Sequence, residues 1–337
     1  MKKHLLLNIK SSAMKKFFVY AAGMLAMAVC GCQEKEIADV VAPSEEITLD
    51  VCVPVSEMTR ITDVGDESAL TGIQAFVFRK DGSLDAWASS SGNTLSIQCT
   101  AGERDIAVLV NSPEIKDITT FSALRSKVSL LSDNGVGSLV MSGTVSVTLS
   151  SSSSVTVPVS RKAARVSIER IVTDFDLEQY KNAEFKITGI YLVNVAGDAP
   201  YFGTGQPGVW YNRMENAGEL PALLSSGKLS VPVTGQAPYE VSHHFYCYPN
   251  PTGEDISETT WSPRKTRLVV EAELDGVTCY YPMTMPVIES NHLYTVTELK
   301  ITKPGSSSPD IPVVKEDVSF VIEVADWDEG YSGSFEI

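Results

Sequence analysis

The stretch Ile47-Thr48-Leu49-Asp50-Val51-Cys52-Val53-Pro54-Val55 places Ile47, Leu49, Val51, Val53 and Val55 on one face of an extended segment. Period two marks a half-buried β-strand, because successive side chains leave opposite faces of the backbone. The same signal recurs along the chain. Ile73, Ala75, Val77 and then Phe78 lead into Lys80-Asp81-Gly82-Ser83, where Asp-Gly predicts a hairpin turn. Further strands are predicted at 94–99, 105–110, 138–141, 144–149 and 155–159, with Ser150–Ser154 as a flexible turn. Near-helical spacing of Ile115, Ile118, Phe121, Leu124 and Val128 predicts one short helix within 113–132.

A second series begins at Ala164-Arg165-Val166-Ser167-Ile168 and continues through 185–193, 243–248, 266–274, 277–283, 292–301 and 318–324. Pro- and Gly-rich loops separate these strands, among them Gly203–Gly208 and Pro249–Gly253. After Asp326-Trp327, Tyr331, Gly333, Phe335 and Ile337 again share one face. Many short strands with turn signals between them predict an all-β protein of β-sandwiches, and 337 residues suffice for two. The boundary is placed near Ser160–Lys162, giving domains at 46–160 and 161–337. No repeat of 20–50 residues is evident, which argues against a solenoid or propeller.

Ahead of the first strand, Lys15-Lys16 precede the apolar run Phe17–Val29, shorter than the ~20 residues of a comfortable membrane span. The run ends at Val29-Cys30-Gly31-Cys32. A charged region, an apolar region and a small residue before a cysteine form the pattern of a lipoprotein signal peptide. Residues 1–31 are therefore read as the signal, and Cys32 as the acylated (palmitate-type) N-terminus. Cys30 fits less well because Val29 precedes it. A start at Met14 would give a signal of more ordinary length. Residues 32–45 read as a polar, acidic tether. Cleavage before Cys32 removes five lysines and no acid, taking the formal charge from −15 to −20. A surface so acidic has no long-range attraction for nucleic acid or anionic lipid, so the lipid must hold the protein to the membrane.

Catalytic and metal patterns are missing. His243, His244 and His292 survive processing, and the adjacent pair points to opposite faces of a strand. There is no HExxH, no GxSxG, and Gly203–Gly208 lacks the lysine of a P-loop. Asp326, Asp328 and Glu329 read as solvated acids rather than a calcium site. Neither enzyme, metal nor cofactor is expected. Cys52, Cys99, Cys247 and Cys279 show no CxxC spacing. A chain this long does not require a disulfide framework, so buried free thiols are expected, with a Cys247–Cys279 bridge open if their strands are neighbours.

Taken in order, Ala101-Gly102-Glu103, Met141-Ser142-Gly143, Val157-Pro158-Val159-Ser160-Arg161 with Ala164-Arg165-Val166, Phe245-Tyr246-Cys247-Tyr248-Pro249-Asn250-Pro251, Tyr280-Tyr281-Pro282, Asn291-His292-Leu293-Tyr294 and Val324-Ala325-Asp326-Trp327 resemble the fimbrillins. These and the fimbrillin-like lipoproteins build type V pili of anaerobic Gram-negative bacteria. The resemblance implies two tandem transthyretin-like (Greek-key) β-sandwich domains and export as an outer-membrane lipoprotein. It implies maturation by an arginine-specific protease, here between Arg60 and Ile61, with loss of the strand at 47–55. It implies that the opened groove receives a C-terminal strand from another fimbrial subunit, with Tyr331, Phe335 and Ile337 as donor residues. From the residues alone, the tail is equally an ordinary edge strand or a donor, and the alternative reading of Arg60 is a plain loop arginine. The second functional reading is a surface glycan-binding lipoprotein that does not polymerise, with Trp87, Trp210, Tyr211 and Trp261 as platforms for sugar rings.

Overall fold

A computed structural model describes residues 45–54, 67–214, 218–254, 259–311, 318–327 and 332–336. In the N-terminal half a five-stranded antiparallel sheet runs in the order Leu84–Ser90, Ile73–Arg79, Gly102–Val110, Met141–Leu149, Ser160–Arg161. A three-stranded sheet runs Thr94–Thr100, Glu46–Cys52, Ser153–Thr156. Ile47, Leu49, Val51 and Val53 share one buried cluster with Ala75, Val77, Ile106 and Val108. A second cluster holds Phe76, Phe78, Ala107 and Leu109 together with Ile118, Leu124 and Tyr201. The central strands of the five-stranded sheet are thus buried on both faces, which explains why Val77 is followed by Phe78 instead of a polar residue.

The Asp-Gly hairpin forms as expected. Arg79 N–H donates to the Ser83 carbonyl at 2.8 Å, Gly82 N–H donates to the Arg79 carbonyl at 2.8 Å, and Gly82 takes φ 80°. The expected short helix is Phe121–Arg125, capped by the Thr120 hydroxyl, which accepts from the Ala123 N–H at 3.1 Å. The two strands expected at 138–141 and 144–149 are one, Met141–Leu149. Gly143 lies within it because the Pro158 carbonyl passes so close that a Cβ there would sit 1.9 Å from its oxygen. The serine run is shorter as a turn than expected, since Ser153 and Ser154 already belong to a strand. Strand Leu84–Ser90 has weak apolar alternation (Leu-Asp-Ala-Trp-Ala-Ser-Ser) and is not legible in the sequence; it follows from its pairing with Ile73–Arg79.

In the C-terminal half, one sheet runs His243–Cys247, Ala164–Ile168, His292–Ile301, Val318–Asp326, Ser332–Glu336, with Ile171–Thr173 also on His292–Ile301. The facing sheet runs Val231–Pro232, Phe185–Val193, Arg267–Leu274, Val277–Thr284. A single large core joins the inner faces, with Val166, Ile190, Leu192, Leu268, Val270, Tyr281 and Val296 among its members. Two fully buried arginines, Arg264 and Arg267, each bond the carboxylate of Asp310 at 2.8 Å and fix the loop after His292–Ile301 to this sheet.

The halves are also bonded to each other. Val128–Leu130 pairs with Asp198–Pro200. The Tyr248 hydroxyl meets Ser129 Oγ at 2.6 Å and accepts from Asn134 Nδ2 at 2.8 Å. Leu131 and Leu139, from the first series, enter the core of the second. No described helix is long and apolar enough to cross a membrane.

Candidate functional site

The first strand, Glu46–Cys52, occupies the middle of its sheet. It pairs antiparallel with Thr94–Thr100 over all seven residues, from Glu46 opposite Thr100 to Cys52 opposite Thr94. On its other side it pairs parallel with Ser153–Thr156, Leu49 opposite Ser153 and Cys52 opposite Thr156. The ladder continues past both ends: Ala101 N–H donates to the Glu45 carbonyl, Val53 N–H to Asn93, and Val157 N–H to Cys52, each at 2.9 Å. Inward, Ile47, Leu49, Val51 and Val53 are buried. Burial of four such side chains is worth on the order of 6–12 kcal/mol. Outward, Gln98 Nε2 donates to Thr48 Oγ1 at 2.8 Å, and Ser96 Oγ donates to Asp50. Taken away, this one strand would leave a slot between two strands that do not pair with each other, floored by Leu95, Ile97, Val157, Val77 and Ile106.

The opposite situation holds for the last described strand. Among the described residues, Ser332–Glu336 is at the edge of its sheet and pairs only with Val318–Asp326, Phe335 opposite Ile322 and Gly333 opposite Val324. Of the other sequence-derived site residues, Cys32, Arg60, Ile61, Tyr331 and Ile337 lie outside the described residues.

Between these segments lies a polar cluster that no sequence pattern announces. Glu67 is 4% exposed. Its carboxylate accepts from Arg165 Nη1 at 2.8 and 3.0 Å and from the Tyr246 hydroxyl at 2.5 Å. Arg161 Nε donates to the Glu67 carbonyl at 3.3 Å. The buried ring of Trp327 lies 4.8 Å from the Arg161 guanidinium, 5.5 Å from that of Arg165, and stacks on Tyr246 with centroids 6.3 Å apart. Burial, and then the Glu67 charge, push the Tyr246 hydroxyl well above the ordinary tyrosine range, so it stays a donor. Arg161, Arg165, Tyr246 and Trp327 all fall within the motif pieces that carry the fimbrillin resemblance. Glu67, in Asp66-Glu67-Ser68, does not, and nothing local distinguishes it from a surface acid.

His243 Nε2 bonds the Tyr239 hydroxyl at 2.7 Å and His244 Nδ1 bonds Ser167 Oγ at 2.8 Å, on opposite faces as expected. Burial lowers the His243 pKa, which favours its neutral form. No group of three or more His, Cys, Asp or Glu is placed to hold a metal among the described residues. All four cysteines beyond Cys32 are free, and burial pushes the Cys247 thiol up to about 12. Trp210 and Trp261 meet edge to face at 64°, with the buried Arg264 5.2 Å above the Trp261 ring. This geometry packs the two indoles on each other. Trp87 stands apart, tilted on Phe76.

These features define a class: a β-sandwich protein whose most distinctive described element is a central strand near the start of the described residues. Residues 53–170 match the family described as major fimbrial subunit protein (FimA). No curated protein matches by sequence. Among solved structures, a candidate cell adhesion protein from Bacteroides eggerthii superposes with a TM-score of 0.63 at 20% identity, covering 85% of this chain and 97% of that one. A fimbrilin (FimA) from Porphyromonas gingivalis gives 0.59 at 16% identity, covering 83% and 97%. The tip fimbrial protein Mfa3 of the same organism, with a C-terminal truncation, gives 0.52 at 12% identity, covering 84% and 100%. At such identities the likeness is one of fold, the fimbrilin β-sandwich. Over 53–170 the chain is thus similar in sequence to FimA fimbrial subunits, and over most of its described length it shares their fold.

Proposed function

We propose that this protein is a structural subunit of a surface fimbria of the type V class, exported as a lipoprotein through Cys32 and polymerised by donor-strand exchange in support of cell adhesion. In this reading an arginine-specific protease cuts between Arg60 and Ile61. The strand Glu46–Cys52 then leaves, and the segment carrying Tyr331, Phe335 and Ile337 of another fimbrial subunit takes its place. The outer membrane, reached through the lipid, is the first location, and the fimbria the second.

The observation that carries the reading is the asymmetry of the two end strands. The first is central, doubly paired and supplies four apolar side chains to a core. The last is peripheral and singly paired. An edge strand costs little to detach, whereas an emptied central slot exposes two unpaired main-chain edges and an apolar floor, which a strand of matching periodicity satisfies.

Limited digestion of the mature protein with an arginine-specific protease tests this, followed by N-terminal sequencing and denaturing electrophoresis without boiling. A new terminus at Ile61 with growth of SDS-resistant ladders supports it. A cut chain that stays monomeric refutes strand exchange.

A further inference from the structure

The chain enters the described structure at Glu67 just seven residues beyond Arg60, and leaves Val318–Asp326 for the C-terminal strand immediately after Trp327. These two points are far apart in sequence but meet in one buried cluster. Among the described residues, the Glu67 carboxylate has two side-chain partners, Arg165 and Tyr246. Those same two side chains hold Trp327, one by its guanidinium over the ring and the other by stacking. Arg161, which bonds the Glu67 main chain, also lies over Trp327.

We propose, resting on the strand-exchange reading above, that Glu67 is a positioning residue for assembly: its carboxylate fixes the root of the cut loop and, through Arg165 and Tyr246, the indole from which the C-terminal strand departs. In the uncut chain, residue 67 is covalently tethered on both sides, toward the strand Glu46–Cys52 and toward Ile73–Arg79. Cutting at Arg60 removes the first of these. The carboxylate bonds are then what keep the new N-terminal arm rooted at the junction of the two halves. A buried carboxylate without its partners, or a buried guanidinium without its carboxylate, is strongly unfavourable, so the cluster holds together as a unit. The cation–aromatic contacts transmit that order to Trp327, since a ring between a fixed guanidinium and a fixed phenol has one favoured position.

The test uses the full mature chain with 5-fluorotryptophan, so that Trp87, Trp210, Trp261 and Trp327 each give a fluorine resonance. Glu67→Gln keeps the shape and removes the charge; Tyr246→Phe removes one donor and should fold even if the first variant does not. Expected in both is a shifted or broadened Trp327 resonance with the other three unmoved. After arginine-specific cleavage, ladder growth should slow more than about tenfold in Glu67→Gln, with a smaller slowing in Tyr246→Phe. A merely structural role would instead lower the thermal midpoint of cut and uncut protein equally, without singling out the cut form. A Trp327 resonance unmoved in both variants, or ladder growth equal to wild type, overturns the inference alone. A wild-type chain that is cut at Arg60 and never forms ladders refutes the fimbrial reading, and this inference with it.

Discussion

Leu49→Ala should release the first strand from the cut protein far faster than wild type. Leu49 is fully buried, at the centre of the strand, in a cluster with Val51, Val77, Ile106 and Val108. Truncating such a leucine costs about 2–5 kcal/mol, the spread depending on how far the neighbours collapse into the space. The facing strands Ile73–Arg79 and Gly102–Val110 are paired on both sides within their own five-stranded sheet, so little collapse is open to them. Once the chain is cut at Arg60, the segment ahead of the cut is a non-covalent ligand, and the loss appears in its affinity. At about 1.4 kcal/mol per decade, the dissociation constant rises roughly 30-fold to a few thousand-fold, mostly through a faster off-rate. The assay is release of a fluorophore placed ahead of Glu46, followed by anisotropy after cleavage. Asp50→Ala, which loses one outward bond to Ser96, serves as the control and should change release by about twofold or less. If Leu49→Ala releases within about threefold of wild type, the inward face is not what holds the strand, and the slot argument fails.

Three further outcomes follow from the same packing. Asp85 is buried, which raises its pKa, but the Thr100 N–H and hydroxyl, Arg104 and Arg79 more than offset this and leave it lowered. A lowered folded-state pKa contributes stability present above the unfolded value, about 3.9, and lost as pH falls through the folded value. Asp85→Asn should therefore lower the thermal midpoint at pH 7 and shrink the acid-induced loss below about pH 4, read by circular dichroism; equal acid sensitivity would refute it. Gly143→Ala drives a methyl group into the Pro158 carbonyl, displacing the chain that continues from Ser153–Thr156, and should speed release of the first strand in the same anisotropy assay. Of the four cysteines, Cys52 is half-buried and the others are buried, so a thiol reagent should label Cys52 quickly and Cys99, Cys247 and Cys279 only on unfolding, as mass spectrometry of the labelled peptides would report.

Strand existence was legible because alternation is a local property: the faces of residues 47–53 are set by backbone geometry before any partner is chosen. Likewise Asp81-Gly82 specifies its hairpin, because a glycine at positive φ needs no distant contact. The motif pieces also pointed to the fimbrillin fold, and one of them, Met141-Ser142-Gly143, marks a place where the Pro158 carbonyl leaves no room for a side chain. Leu84–Ser90 stayed hidden because its half-exposed alanines and serines carry little hydrophobic contrast. Its strand state is imposed by the hydrogen bonds of its neighbour.

What only the tertiary structure decided is which strand lies in the middle. Periodicity gives the first and last strands the same signature, yet one is doubly paired and the other sits at an edge. The difference arises from partners about 50 and 100 residues away, Thr94–Thr100 and Ser153–Thr156. The Glu67 cluster is the extreme case. Arg165 and Tyr246 stand 98 and 179 residues from Glu67, and only their meeting turns an ordinary acid into a buried anchor. A sequence records which faces are apolar, but the pairing of distant edges and the desolvation of a charge exist only once the chain has closed upon itself.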